Sequence, residues 1–206
     1  MPDLSTAHTP RRGRPRSEKA RKAILRAAAE LLLVHGLGAV SMDAVAERAR
    51  VSKATIYRWW PSKEMLALDA LLDWAAARVP TRDTGSLRGD LLALIPPWVR
   101  EIRGGPFARV IAALISEAQS DARFADSYRT HFVEPRREAM RAAFARARDR
   151  REVAADLDVE VALDLLYGAV YHRLLQGHAE LTDRFAQEVV DLALRGILTT
   201  RPGDAQ

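Results

Sequence analysis

The stretch Ser41–Leu66, SMDAVAERARVSKATIYRWWPSKEML, decides the fold. Ser41 stands where a helix N-cap belongs, and Val45, Ala46 and Ala49 follow at helical spacing, so a short helix runs to about Ala49. Ser52 caps a second helix, expected through Trp60, and Ser62 caps another reaching about Arg78. Two helices crossing steeply around a tight turn need a small residue at the crossing and apolar residues at fixed offsets. Ala46 supplies the first, and Val45, Ala49, Val51 and Ile56 supply the second. Trp60 lies four residues after Ile56, on the same buried face, and is expected to lock the second helix to the first. Trp59 points elsewhere.

Upstream, Ser17 is a plausible N-cap, and Ile24, Ala28, Leu31, Leu32 and His35 share one helical face. Gly36 follows where a left-handed C-terminal residue is expected. Residues 1–16 are rich in arginine and proline and lack apolar periodicity, so they read as a flexible arm. Residues 17–62 then form one compact three-helix unit.

Charge is divided along the chain. Residues 1–63 carry 13 Lys or Arg against 5 Asp or Glu, whereas the other 143 carry 19 against 22. A basic front on a mildly acidic remainder points to a polyanion met by the front alone. A solvated arm without a partner is the plainer alternative. Cysteine is absent, which removes disulfides and thiol chemistry and fits a reducing cytoplasm. No secretory leader and no apolar run of membrane-spanning length occurs, so no membrane association is expected. His172 and His178 are six apart, off-face on one helix, and no metal-ligand pattern accompanies them. No nucleophile elbow, phosphate-binding loop or dinucleotide fingerprint is present, so neither an enzyme nor a cofactor is expected.

The remainder, residues 63–200, is helical throughout. Pro80–Gly89 reads as a connection; Leu91, Leu94, Ile95, Trp98 and Ile102 then repeat at helical spacing across Pro96 and Pro97, which should kink or break that helix. Phe107, Val110, Ile111 and Leu114 mark an amphipathic helix with Pro106 in its first turn, and the phase continues from 121 to about 150 with an interruption at Pro135. From Val159 to Gln176 two apolar stripes coexist, Val161, Leu165, Ala169 and His172 on one side and Leu163, Leu166, Val170 and Leu174 on the other. A final helix capped by Thr182 repeats this, with Phe185, Val189 and Leu192 beside Val190, Leu194 and Ile197. One face of each helix suits the core and the other a second subunit across a two-fold axis, with Val170, Leu174, Val190, Leu194 and Ile197 as interface candidates. Burial of both stripes within one chain is the alternative.

The second helix of the opening stretch suits a DNA major groove. Lys53 and Arg58 can reach guanine acceptors or phosphates, the methyl groups of Ala54 and Thr55 can touch thymine, and the Tyr57 hydroxyl can bond a phosphate. Trp59 can offer its indole N–H to the backbone, beside Lys63 at the next helix start. Ser41, Arg50 and Ser52 complete the set. In the arm, the run Arg12–Arg16, RGRPR, resembles an AT-hook core, so Arg12, Arg14 and Arg16 are candidates for the minor groove or for phosphate attraction at large.

These residues resemble the DNA-binding signature of the TetR/AcrR family of bacterial transcriptional regulators. Ser41, Val45, Ala46, Ala49, Val51, Ser52, Ile56, Tyr57, Pro61, Lys63 and Leu66 all match its residue types. The likeness reaches back to about Ser17. Arg50 departs from it, standing where a glycine is usual, and so does Trp59, where histidine or tyrosine is usual. The resemblance implies an all-α homodimer of about nine helices per chain, with a helix-turn-helix front and a ligand-binding, dimerising body. It further implies recognition helices about 34–36 Å apart on a palindromic operator. Residues 168–197 look like the last two helices of many members, which commonly form the dimer interface. For a small hydrophobic or aromatic effector the candidate walls are Trp98, Ile102, Phe107, Ile111, Tyr128, Phe144 and Tyr167, with His131 and Arg103 to orient a polar end. A helical DNA-binding protein without an effector, such as an architectural factor, and a helical ligand-binding protein or enzyme with an incidental arm are the rival readings.

Overall fold

The computed structural model describes residues 18–75 and 82–197, and every regular element in them is helical. The reading head comprises α1 (Glu18–His35), a short 3-10 turn (Leu37–Ala39), α2 (Met42–Ala49) and α3 (Lys53–Tyr57), and α4 (Lys63–Ala75) leads out of it. The body comprises α5 (Leu87–Ile102), α6 (Gly105–Ser120), α7 (Ala122–Tyr128), α8 (Glu134–Asp149), α9 (Val159–Gln176) and α10 (Asp183–Ile197). Helices α7 and α8 are continuous through a π-helical turn, Arg129–Val133, so the described residues form nine helical rods, in line with the expected number.

The local signals explain most boundaries. Ser41 Oγ accepts from the Ala44 amide at 3.1 Å, and Ser52 Oγ from the Thr55 amide at 3.3 Å, as N-caps do. Ser62, Ser86, Asp121, Asp158 and Thr182 cap the helices that follow them. Helix α1 buries Ile24, Leu25, Ala28 and Leu32 and ends at Gly36. There φ is 82° and ψ 177°, an extended mirror-image conformation open to glycine rather than the left-handed helical one anticipated.

Three expectations are corrected. Helix α3 ends at Tyr57, not Trp60: Trp59 and Trp60 fold back onto the Ile56 carbonyl at 2.9 and 3.0 Å, because Pro61 disfavours helical backbone at the residue before it. Helix α5 starts at Leu87, within the supposed connection, and is not broken by Pro96 and Pro97. The carbonyls of Leu92 and Ala93 forgo their usual amide donors, while Leu91, Ile95, Trp98, Val99 and Ile102 are buried and hold the rod together. The interruption expected at Pro135 lies just before it, as the π-turn, with Pro135 in the first turn of α8.

One core cluster runs through head and body. Helix α4 packs against α1 on one side and against α6, α7 and the π-turn on the other. In the body, α10 lies on α5 and α9, and α5 also packs on α8. Asp90, 1% exposed, ties the start of α5 to α8. It accepts from the Thr84 amide and hydroxyl, both at 2.7 Å, and from Arg146 Nη2 at 2.8 Å.

The stripe assignment on the last two helices is also corrected. Val170, Val190, Leu194 and Ile197 are buried in the chain's own core, and Leu174 is half-buried. The apolar side chains left outside are Val161, Leu165 and Leu175 on α9 and Leu192 on α10. Both helices carry apolar residues over so wide an arc that the sequence does not say which stripe turns inward.

Candidate functional site

Helices α2 and α3 cross around a turn that Arg50 makes possible. Its φ of 53° and ψ of 46° are left-handed, its amide reaches the Glu47 carbonyl at 3.2 Å, and the Val51 amide reaches Ala46 at 3.0 Å. This is the position where glycine was the expected type, and Arg50 adopts the same backbone, its side chain exposed. Ile56 is fully buried and anchors α3, so the opposite side is forced outward. Lys53, Ala54, Tyr57 and Arg58 are exposed; Thr55 is half-buried, its hydroxyl 2.9 Å from that of Ser52. Ser41 and Ser52 act first as caps, and their exposure leaves them at the same surface.

Lys53 is engaged within the head. Its Nζ lies 2.9 Å from Asp43 Oδ1 on α2, and the hydrogen bond to Asp43 raises the ammonium pKa. Sequence spacing did not reveal this pair, because it depends on how the two helices cross. Trp60 is buried and donates Nε1–H to Asp69 Oδ2 at 2.8 Å. Since Asp69 is on α4 and also meets Arg21 of α1 at 3.9 Å, Trp60 fastens the end of α3 to α4 as well as toward α1. Trp59 is half-buried, 6.0 Å from Trp60 and under the Arg21 guanidinium at 5.8 Å. Lys63 is exposed beside Glu64 at 3.7 Å. Arg12, Arg14 and Arg16 lie outside the described residues.

The body contains a cavity of about 450 Å³ between α6, the π-turn, α8 and α9. Of the seven expected wall residues, Tyr128 and Tyr167 line it. Trp98, Phe107, Ile111 and Phe144 are buried in the core, and Ile102 borders a separate cavity of about 500 Å³ with Arg103 and Leu174. Nor do the two proposed polar residues serve the first cavity. His131 is exposed, its Nδ1 2.9 Å from the Ser127 carbonyl, and Arg103 is paired with Asp183 at 3.3 Å. The charged groups that line it are Arg136, Arg137 and Asp164; helical spacing alone did not single out the two arginines, because the π-turn shifts the phase of α8 relative to α7. Tyr171 joins Tyr128 and Tyr167 on the wall. Burial raises the pKa of all three phenols, that of Tyr171 to about 12, so they stay protonated at neutral pH.

Aromatic contacts connect this wall to the head. Arg136 lies over Phe132 at 3.8 Å and Trp98 at 4.8 Å; Trp98 meets Phe107 edge-on at 6.0 Å, and Phe107 meets Trp74 of α4 at 5.3 Å. His172 and His178 come within 5.0 Å because the chain turns at Gly177, yet no metal-binding group of three acidic or histidine side chains forms among the described residues. No described helix is long and apolar enough to cross a membrane.

A small helical head with a basic, outward-facing second helix, set on a helical body with a cavity, defines a helix-turn-helix DNA-binding regulator. Comparison with known proteins agrees. Residues 24–70 match the model of bacterial regulatory proteins of the tetR family, and residues 81–193 match that of the tetracyclin repressor-like C-terminal domain. The chain is 40% identical over 190 residues to the uncharacterized HTH-type transcriptional regulator YdeS of Bacillus subtilis, spanning 92% of this chain and 96% of that one. It is 34% identical over 190 residues to the DNA-binding transcriptional repressor TetR of Mycobacteroides abscessus, spanning 91% and 97%. The crystal structure of the TetR family transcription regulator SCO0332 superposes with a TM-score of 0.76 at 37% identity, over 87% of this chain and 98% of that one. The chain therefore belongs to the TetR family of bacterial transcriptional regulators, DNA-binding proteins rather than enzymes.

Proposed function

We propose that the protein is a repressor that binds a palindromic operator as a homodimer and leaves it when a small hydrophobic or aromatic effector enters the body. The observation that carries this reading is the row Lys53, Ala54, Tyr57 and Arg58, exposed on a helix whose opposite side is fixed by fully buried Ile56. Such a rod meets base edges and phosphates together. Residues 1–16 would add phosphate attraction to a head of residues 17–62, with residues 63–200 as effector-binding and dimerising body, acting in the cytoplasm.

Dimerisation is supported by the uncovered apolar side chains: of the six large hydrophobics exposed among the described residues, four lie on α9 and α10. A second copy of this chain is the occupant a self-complementary four-helix contact calls for. Effector coupling is supported by the ring-to-ring series from Arg136 to Trp74. Because α4 touches the cavity-side helices and also holds Trp60 through Asp69, a small shift of its position changes the spacing of two recognition helices.

Selection of bound sequences from random duplexes should yield a two-fold symmetric site, and a footprint without symmetry would favour the architectural reading. Tyr57→Ala and Lys63→Ala should abolish selective binding with the fold intact. Leu165→Glu should give a monomer by light scattering; retention of the dimer would move the interface elsewhere.

A further inference from the structure

The effector cavity is apolar on most of its wall, with Ile115, Val133, Tyr128, Tyr167 and Tyr171, and its charged lining is Arg136 together with Arg137 and Asp164. Arg136 donates an Nη1–H to the Phe132 carbonyl at 2.7 Å, while its Nε–H is buried without an acceptor. Among the described residues no carboxylate forms an ion pair with it, and Glu101 acts on it only through space. Burial lowers the pKa of this guanidinium, the signature of a charge stripped of water without full compensation. Its neighbour Arg137 also lines the cavity and is the opposite case: it gives Nη1 to Asp164 at 2.6 Å and also binds Glu160. In the separate 500 Å³ cavity, Arg103 is taken by Asp183, and Arg173 donates to the Glu180 carbonyl at 2.9 Å.

We propose that Arg136 is the anchor for an anionic headgroup, so that the effector is a carboxylate carrying an apolar, ring-bearing body. This rests on the reading of the cavity as the effector site. A carboxylate supplies acceptors that the Arg136 guanidinium lacks, and charge-assisted bonds of that kind are roughly twice as strong as neutral ones. The three protonated phenols add no negative charge, the carboxylate of Asp164 in the lining is taken by Arg137 at 2.6 Å, and the phenol rings give a flat apolar body its stacking surface. A neutral ligand of the same shape leaves the buried charge unanswered, and a cationic one is repelled.

The test is calorimetric titration of the full chain with phenylbutyrate, naphthoate and decanoate, with the primary amide of each, and with phenylbutylammonium. Phenylbutyrate or naphthoate should bind about tenfold or more tightly than its own amide and more tightly than decanoate, and the ammonium should not bind; a preference confined to decanoate overturns the ring-bearing body. Arg136→Gln should erase the preference by weakening the carboxylate while leaving the amide unchanged; Arg137→Gln should preserve it. Equal affinity for acid and amide, no saturable binding by any carboxylate, or an undiminished preference in Arg136→Gln overturns the proposal. A parallel measurement on selected operator DNA separates the two readings. A carboxylate that binds through Arg136 without changing operator affinity sinks the regulatory coupling alone, whereas release of DNA by the neutral amides from the unsubstituted protein at the concentrations at which their carboxylates act sinks the anionic headgroup alone.

Discussion

Asp43→Asn should tighten binding to double-stranded DNA, and most strongly at low salt. Lys53 Nζ lies 2.9 Å from Asp43 Oδ1, with 54% and 77% of the two side chains exposed, so a cation of the reading face is answered inside the protein by a carboxylate at the same surface. Removing that carboxylate takes a negative charge away from the approaching phosphates and frees one ammonium per chain, two in a dimer. Each phosphate newly neutralised steepens the dependence of log K on log salt by about 0.9, so two steepen it by about 1.8. Between ~50 and ~200 mM salt the advantage of the variant should therefore shrink about twelvefold.

Fluorescence anisotropy with a labelled duplex of arbitrary sequence measures this, since the contact is to phosphate and needs no operator. A melting curve of each protein controls for the loss of an acidic group from the first turn of α2. Weaker binding across the salt range, or an unchanged slope with the fold intact, would refute the reasoning and make the pair a device that positions Lys53 rather than one that competes for it.

Other expectations concern the scaffold. Arg50→Gly relieves a left-handed backbone that costs a residue with a β-carbon about 1 kcal/mol, partly offset by glycine's freedom in the unfolded chain, so denaturant unfolding should show a net gain of roughly 0.5 kcal/mol; a loss would refute the strain. Asp90→Asn turns an acceptor facing Arg146 into a donor at a site 1% exposed and should cost about 2–3 kcal/mol, read by the same assay, with a change under about 1 kcal/mol counting against its role as a tie. Arg141 and Arg137 lower the carboxyl of Glu160 from 4.5 to about 2 by hydrogen bonding. A depressed folded pKa contributes stability that is complete above the unfolded value and fades as pH falls from 4.5 toward about 2, so Glu160→Gln should flatten the acid limb of a melting-temperature profile there. An identical limb in both proteins would remove Glu160 from the explanation.

The reading head was legible because its signals are local. A cap serine states where a helix begins within three residues, and Ile56 with Ala46 fixes a crossing whose partners lie ten positions apart. What the sequence did not disclose there is lateral: the pairing of Lys53 with Asp43, and of Trp60 with Asp69, depends on the crossing of helices rather than on spacing along one. In the body the expected wall residues are mostly core, because a large apolar side chain on an inward face looks the same in sequence whether it meets another side chain or a void. The π-turn compounds this. It carries Phe132 under Arg136 and brings Val133 to the cavity, a change of phase that a regular helical count over Tyr128–Phe144 does not contain.

The error on α9 has a physical lesson of its own. At about 100° per residue, Asp164, Tyr167, Tyr171 and Leu175 form one face, Val161, Leu165 and His172 the adjoining one, and Leu163, Leu166 and Val170 the core side. Three neighbours are thus served by one helix: the cavity, the outside and the core. Apolar residues all round give no phase, so the sequence reading found two stripes where the helix serves three neighbours, and assigned the inner one to the partner. Gly168 stands between the cavity face and the outward stripe, exposed and at the lip of the cavity. A second copy seated on Val161 and Leu165 would border that lip directly. On such an arrangement the helix that touches the effector through Tyr167 and Tyr171 is also the helix that sets the angle between subunits, and a change in the first reaches the spacing of the recognition helices without needing a long relay.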